Sequence, residues 1–411
     1  MTTTFVSKAP TLACALHRAL LLHGSKPLFG KFCNPDPSSG DDTLEWCSFR
    51  EVLEASVALA SAIYRRVKFE PTRQEPRLAF GICSTINCTE WMLADFAATF
   101  NDFISVGIHS SWPKATFEAV VLDAGLSIVA SDLENASRFL EVCETRKDCK
   151  IQGLVILNER QSLLSEKAEG LVSRGKATGV WVVGFGELVH EAGEAKVLAT
   201  ATGAGVPIDF PQVLGFGQGD DMNQDEVASL MYTSGSSGAP KGVVVTRGKL
   251  RAYEGNIFVN QENPVVVSYM ALAHGADRGN LWSAAFSGAR VVFARDGHNF
   301  ERLLHDIGVA GPTYFLGLSH FWARLYKHFL RALERFVIVS MPEQMQKLHT
   351  YLDAQSMRKV EATQEEILYL ARQVRVYGIW RVGSSFAFLL QPPLTFQFAR
   401  NSAAEHLAGP P

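Results

Sequence analysis

The chain lacks any run of about 20 apolar residues that could cross a bilayer as a helix. Its most apolar early stretch, Leu12 to Leu22, is cut by His17 and Arg18. It also lacks an excess of one charge. Lys and Arg number 39 against 42 Asp and Glu, a net charge of −3. That excludes a broad basic surface made for nucleic acid and leaves a small anionic ligand open, because such sites use local charge. Cysteine is sparse: Cys14, Cys33, Cys47, Cys83, Cys88, Cys143 and Cys149 make an odd count with no C-x-x-C pair. A disulfide scaffold or a structural zinc site is therefore disfavoured, and a reducing compartment with idle thiols is the plain expectation. The first 35 residues hold no Asp or Glu and a single Arg, Arg18. They read as an amphipathic opening helix rather than an Arg-rich mitochondrial presequence. What is present is ordinary for a globular protein: 411 residues, 47% hydrophobic, 20% charged, 10% aromatic. Such a length suggests two or three domains with a sizeable core.

The first two-thirds of the chain alternates helix-period and strand-like segments. Ser48 and Glu51 form a capping box ahead of Phe49, Val52, Leu53, Val57, Ala60, Ile63 and Tyr64, which recur at helical spacing. Leu78–Cys83 reads as a buried strand, and Thr89 as the cap of a helix carrying Trp91, Met92, Phe96 and Phe100. Phe103–Ile108, Ser127–Ala130, Leu154–Leu157 and Val180–Val183 are the next strands. A Gly-rich stretch with Pro207 and Pro211 follows, and a second block carries strands at Val227–Tyr232, Gly242–Thr246, Val265–Tyr269, Arg290–Ala294 and Tyr314–Leu318. Residues Trp322–Leu333 and much of 341–373 read as helix. This rhythm predicts an α/β fold of mostly parallel sheets flanked by helices. The expected division is an opening segment 1–44, a first α/β subdomain 45–198, a connection 199–226, a second α/β subdomain 227–390, and a poorly ordered tail 391–411.

One segment carries chemistry. From Leu230 it runs Met-Tyr-Thr-Ser-Gly-Ser-Ser-Gly-Ala-Pro-Lys-Gly-Val-Val-Val to Thr246. Gly235, Gly238 and Gly242 let backbone N–H groups face a ligand, and Thr233, Ser234, Ser236 and Ser237 add hydroxyl donors. Lys241 adds a mobile positive charge. The combination suits a polyphosphate, with each charge-assisted hydrogen bond contributing about 1.5–3 kcal/mol. It is not a Walker A loop, because Lys241 precedes Gly242 rather than Ser or Thr. It is not a nucleophile elbow either, because Gly238-Ala239 follows Ser237.

The string resembles the phosphate-binding signature of the acyl-adenylate-forming superfamily, which reads roughly Y-T-S-G-T-T-G-x-P-K-G-V, with Ser236 and Ser237 keeping the two hydroxyls. Other segments resemble the long-chain fatty acid–CoA ligase branch. They are Trp46–Val52, Phe80–Ile82 with Asn87–Trp91, Met270–His274, and Gly311–Phe315 with Phe321-Trp322, where His320 departs from the usual Arg. Pro27–Gly30 fits that branch's opening as well, and the similarity covers roughly residues 10 to 385.

The resemblance implies an enzyme, an AMP-forming acid–CoA ligase. It activates a fatty acid with ATP and Mg²⁺ as an acyl-adenylate, then transfers the acyl group to CoA. By similarity Thr233, Ser234, Gly235, Ser236, Ser237, Gly238, Lys241 and Gly242 hold the β- and γ-phosphates. Thr233 lies near Mg²⁺, Lys241 stabilises the departing pyrophosphate, and His274 sits beside the acyl carboxylate. The implied partners are a long-chain fatty acid, ATP and CoA, with no nucleic acid. The implied place is the cytoplasm or the cytosolic face of the endoplasmic reticulum, with peripheral membrane association and no secretion.

The departures matter too. The family's Y-G-x-T-E motif is absent: Tyr377-Gly378 is followed by Ile379-Trp380-Arg381 with no Thr-Glu, Val374–Val376 and Gly383-Ser384-Ser385 resemble the strand and G-G-[AS] turn that precede that motif, and the later T-G-D segment is absent too. The expectation is an N-terminal domain that is incomplete, missing its barrel part and C-terminal lid domain. Its ligase activity is then impaired unless a partner supplies the missing part. Two alternatives stay open: a catalytically inactive binding or interaction protein of the same descent, and an adenylate-former for another acid, such as an aryl acid.

Overall fold

Ser48 starts the first long helix as the spacing demands. Its hydroxyl accepts from the Glu51 backbone N–H at 3.2 Å, and its own backbone N–H donates to the Glu51 carboxylate at 2.7 Å. Behind that cap, helix α2 (Phe49–Arg66) buries Phe49, Val52, Leu53, Val57, Ala60 and Ile63, whereas Tyr64 is exposed. The computed structural model describes residues 11–34, 40–68, 77–157, 166–191, 224–233, 240–255, 258, 261 and 263–340. The chain divides into two units at Leu316.

In the first unit, helix α1 (Leu12–His23) precedes strands β1 (Pro27–Phe32) and β2 (Leu44–Ser48) and then α2. An alternating series follows: β3 (Ala79–Cys83), α3 (Thr89–Phe100), β4 (Ile104–Ile108), α4 (Lys114–Asp123), β5 (Leu126–Ser131), α5 (Leu133–Thr145), β6 (Gly153–Ile156), α6 (Glu166–Thr178) and β7 (Trp181–Gly184). Next come β8 (Val227–Thr233), β9 (Lys241–Thr246), the short α7 (Arg247–Arg251), β10 (Val265–Ser268), α8 (Gly275–Ser287), β11 (Arg290–Phe293) and α9 (Phe300–Ala310). Helix α10 (Ser319–Ser340) belongs to the second unit and contains the expected helix at 322–333.

Among the described residues two sheets result, as the α/β rhythm implies. One has seven strands in the order β7-β6-β5-β3-β4-β8-β9, parallel except for the antiparallel β8–β9 hairpin. The other has four, β10-β11-β1-β2, parallel except for β1–β2. Neither sheet follows chain order. Strands β8 and β9, from beyond the Gly-rich stretch, complete the sheet of β3–β7, while β1 and β2 from the chain's start pair with β10 and β11.

The larger sheet is covered on both faces, so β3 and β5 read as unbroken buried runs. Helices α2 and α3 pack on one face with Phe80, Ile82, Ile128 and Ala130. Helices α4, α5 and α6 pack on the other with Cys83, Val106, Ile108 and Val129.

Two local expectations are corrected. Thr89 is the first residue of α3, and the cap position is Cys88, which makes no side-chain capping bond. The segment 314–318 forms no strand; Tyr314 makes an isolated bridge to Val266 because it meets β10 at one residue only. The helical reading at 341–373 and the tail 391–411 lie outside the described residues, as does most of 199–226. Among the described residues no helix is long and apolar enough to cross a membrane.

Candidate active site at the carboxyl edge of the seven-stranded sheet

The β3 chain end leads to α3 on one face of the sheet, and the β4 chain end leads to α4 on the opposite face. Connections that part in this way leave a crevice beyond the carboxyl ends of the strands, where open α/β sheets bind ligands. Here the crevice is lined by Asn87, Trp91, His109, Ser110, Tyr269 and His298, among others.

Strand β8 lies beside β4 and brings the chemistry-bearing string to the same edge. Thr233 is its last residue and Lys241 the first of β9; the two are register partners and both are exposed. Ser234, Gly235, Ser236, Ser237 and Gly238 lie outside the described residues. The hairpin is anchored from beneath. Buried Tyr232 donates its hydroxyl to Asp123 of α4 at 2.6 Å, and burial with that carboxylate pushes the phenol pKa up. Gly242 faces the same ring: a Cβ at 242 would stand 3.3 Å from the Tyr232 ring. A larger residue at 242 would press on the anchor.

His274 reaches this edge from another part of the chain. It occupies the cap position of α8, and its side chain makes no capping bond. The turn before it packs on β4 and β8 because two positions lack a Cβ. At Gly107 a Cβ would lie 2.8 Å from Ala273 Cα, and at Gly275 it would lie 3.0 Å from Met231 Sδ. Asn87 ties the loop after β3 to the same turn, donating to Ser268 Oγ at 2.9 Å and to the Met270 carbonyl at 2.7 Å.

Beneath the turn, Asp277 Oδ2 accepts from Ser268 Oγ and from the backbone N–H groups of Tyr269 and Met270, each at 3.0 Å. Its Oδ1 is buried without a partner among the described residues. Burial outweighs the donors and pushes this carboxyl up to about 7.

Sequence reasoning missed His109. It follows β4 directly, is buried, and packs at a tilt against His274 with ring centroids 4.2 Å apart and against Trp112 at 4.7 Å. Burial first, and His274 second, lower its pKa to about 4, so this imidazole is neutral at pH 7. The available signal was its position one residue beyond a parallel strand.

Also missed was the buried network that fixes these elements. Arg278 of α8 donates to Asp95 at 2.9 and 2.5 Å, to Ser229 Oγ at 2.8 Å and to Ser105 Oγ at 2.9 Å. Trp282 donates to Asp95 at 2.9 Å. Helices α3 and α8 and strands β4 and β8 are thereby joined.

Among the described residues no group of three or more His, Cys, Asp or Glu could hold a metal ion. A lone threonine hydroxyl, Thr233, fits Mg²⁺ only where the metal arrives already held by nucleotide phosphates, which is how Mg²⁺ usually binds.

Comparison with known proteins identifies the family. The family described as AMP-binding enzyme matches residues 33–399. Long chain acyl-CoA synthetase 1 of Arabidopsis thaliana is 26% identical over 300 residues, covering 70% of this chain and 39% of that protein. Long-chain-fatty-acid–CoA ligase 6 of Mus musculus is 24% identical, covering 79% of this chain and 42% of that protein. The chain thus spans well under half the length of these curated relatives. Among solved structures, the A-PCP didomain of carboxylic acid reductase from Segniliparus rugosus, in complex with AMP, aligns with a TM-score of 0.64 at 21% identity. That alignment covers 84% of this chain and 48% of the didomain. At that identity the likeness shows the α/β fold alone, and the match along most of the chain shows the family. The chain belongs to the AMP-binding enzyme family, the adenylate-forming superfamily.

Proposed function

We propose that the chain carries the nucleotide-binding part of an acid–CoA ligase, which joins a carboxylic acid to AMP and then to CoA. The observation that carries this reading is the T-S-G-S-S-G-A-P-K-G string, whose ends Thr233 and Lys241 are register partners at the carboxyl edge. The chemical problem is that one anion must attack another. The acid's carboxylate oxygen bonds to the α-phosphorus of ATP while the bond to the pyrophosphate oxygen breaks. The CoA sulfur then bonds to the acyl carbon, and AMP leaves. Donors preorganised around the phosphates lower the barrier by meeting charge where it develops.

In this proposal the backbone N–H groups and hydroxyls from Thr233 through Gly242 hold the β- and γ-phosphates, with Thr233 at the metal. Mg²⁺ supplies charge neutralisation when bound. Lys241 stabilises the pyrophosphate, and His274 faces the acyl carboxylate with His109 packed behind its ring. The similarity to long-chain synthetases supports a long-chain fatty acid as the substrate class. The place of action we propose is the cytoplasm or the cytosolic face of the endoplasmic reticulum, with peripheral membrane contact.

Acid-dependent exchange of labelled pyrophosphate into ATP, measured with acids from acetate to oleate, tests the first step. The expected result is exchange that is strongest with a long-chain acid. Lys241→Ala should lower it about ten- to a hundredfold, the equivalent of one lost charge-assisted hydrogen bond of roughly 1.5–3 kcal/mol. A second reading, a non-catalytic nucleotide-binding relative, is favoured by Tyr377-Gly378 being followed by Ile379-Trp380-Arg381, with no Thr-Glu. Binding of ATP with no exchange at any acid length would establish that reading instead.

A further inference from the structure

Far from the crevice, two thiols touch. Cys143 lies in the last turn of α5, and Cys149 lies beyond its end in the connection to β6. Their sulfurs are 3.4 Å apart, and neither is in a disulfide. Both are half-buried and pack at the rim of the core beneath α4–α6.

The turn between them is held shut. The Cys149 backbone N–H donates to the Arg146 carbonyl at 3.3 Å. The Arg146 guanidinium donates to Glu118 at 2.6 Å and to Asp148 at 3.1 and 3.0 Å. The connection enters β6 at its amino end, opposite the edge that carries Thr233 and His109. Nothing in the nucleotide reading uses this pair.

We propose that Cys143 and Cys149 form a redox-active dithiol that closes to an intramolecular disulfide when a hydroperoxide reaches it. The Cys149 thiolate attacks one peroxide oxygen. The O–O bond breaks, the attacked oxygen stays on Cys149 as a sulfenic acid, and the other oxygen takes up the proton that Cys149 gave up on ionising and leaves as water or alcohol. The Cys143 sulfur then attacks the Cys149 sulfur. The S–S bond forms, the S–O bond breaks, and the hydroxyl leaves as water with the Cys143 proton. Two thiols lose two electrons and the peroxide gains them. The sulfurs close from contact distance to a bond length of about 2.05 Å.

Cys149 is the attacking group because its contact with the Cys143 sulfur lowers its pKa to about 7, although burial and Asp148 oppose this. The same contact pushes Cys143 up, so it stays a thiol until it resolves the sulfenic acid. Three of the other cysteines are set apart from such chemistry. Burial pushes Cys47 up to about 11 and raises the buried Cys83 and Cys88.

The test uses the full chain. It is treated with hydrogen peroxide, blocked with N-ethylmaleimide and digested with trypsin, which cuts after Arg138, Arg146, Lys147 and Lys150. The two cysteines then fall on separate peptides, 139–146 and 148–150. The expected product is those peptides joined by a bond that dithiothreitol reverses. In Cys143→Ala, dimedone should trap Cys149 as its sulfenic acid, and alkylation of Cys149 at pH 7 should slow roughly tenfold as its thiolate fraction falls. Peroxide that leaves both peptides alkylated in the unmutated chain, or that joins other cysteines first, would overturn the proposal. The unmutated chain alone decides this, even if the variant fails to fold.

Discussion

A hydrogen atom in place of a methyl group decides where His274 lies. Gly107 sits mid-strand, where glycine costs stability relative to a residue with a side chain. The return is the close approach of Ala273, whose Cα would be 2.8 Å from a Cβ at 107. The crowding atom belongs to the backbone, so the whole turn must move. Gly107→Ala should therefore destabilise the protein by about 1–3 kcal/mol, the usual cost of overpacking. It should also lower pyrophosphate exchange more than it lowers ATP affinity, because His274 and not the hairpin is displaced. Urea denaturation and a comparison of exchange rate with nucleotide binding check both parts. His109 belongs to this scale as well. As a lone residue after an apolar strand it carries no motif, and only its ring contact with His274 marks it as part of the site.

Helix α8 buries polar residues. It opens on Gly275-Ala-Asp-Arg-Gly-Asn280, and Asp277, Arg278 and Asn280 are all buried. Arg278 is buried because partners wait for it on α3, β4 and β8, and Asp277 because Ser268 Oγ and the backbone N–H groups of Tyr269 and Met270 donate to it. Arg278 is 1% exposed and its partner Asp95 0%. Arg278→Ala would strand a buried carboxylate, and loss of one member of a buried pair costs about 3–5 kcal/mol. By contrast Lys114 and Glu141 pair at 71% and 44% exposure, and Lys114→Ala should change stability by no more than about 0.5 kcal/mol. Chemical denaturation of the two variants side by side separates a joint between elements from a surface pair. The β8–β9 hairpin was more legible, because its glycines, hydroxyls and lysine are contiguous. Thr89 was misread as a cap because a helix start is uncertain by a residue or two when no capping bond is made.

At the scale of the molecule, Asp277 couples stability to pH. Its carboxyl titrates near 3.8 when unfolded and is raised to about 7 in the fold. The folded chain therefore holds more protons between those values, and this contribution is full below pH 3.8 and lost as pH rises through 7. His109 acts in the opposite sense: with its pKa lowered from 6.5 to about 4, it favours folding as pH rises between those values. The informative quantity is thus the stability of the natural chain minus that of Asp277→Asn. It should fall from pH 5 to pH 7 by up to about 1.4 kcal/mol per pH unit and level off above.

Short-range pattern was enough for the α/β class, the capping box at Ser48, most strand positions and the hairpin with Thr233 and Lys241, since each reflects steric and hydrogen-bonding preferences within a few residues. Sheet membership was not readable that way: β8 joins β4 while β1 joins β11, and both pairings close long loops. Nor were the meeting of His109 with His274, the reach of Arg278 to Asp95 across 183 positions, or the crevice itself. Those followed from folding alone, because which buried surfaces and polar partners match across such separations is settled by the packing of the whole chain and not by any local preference.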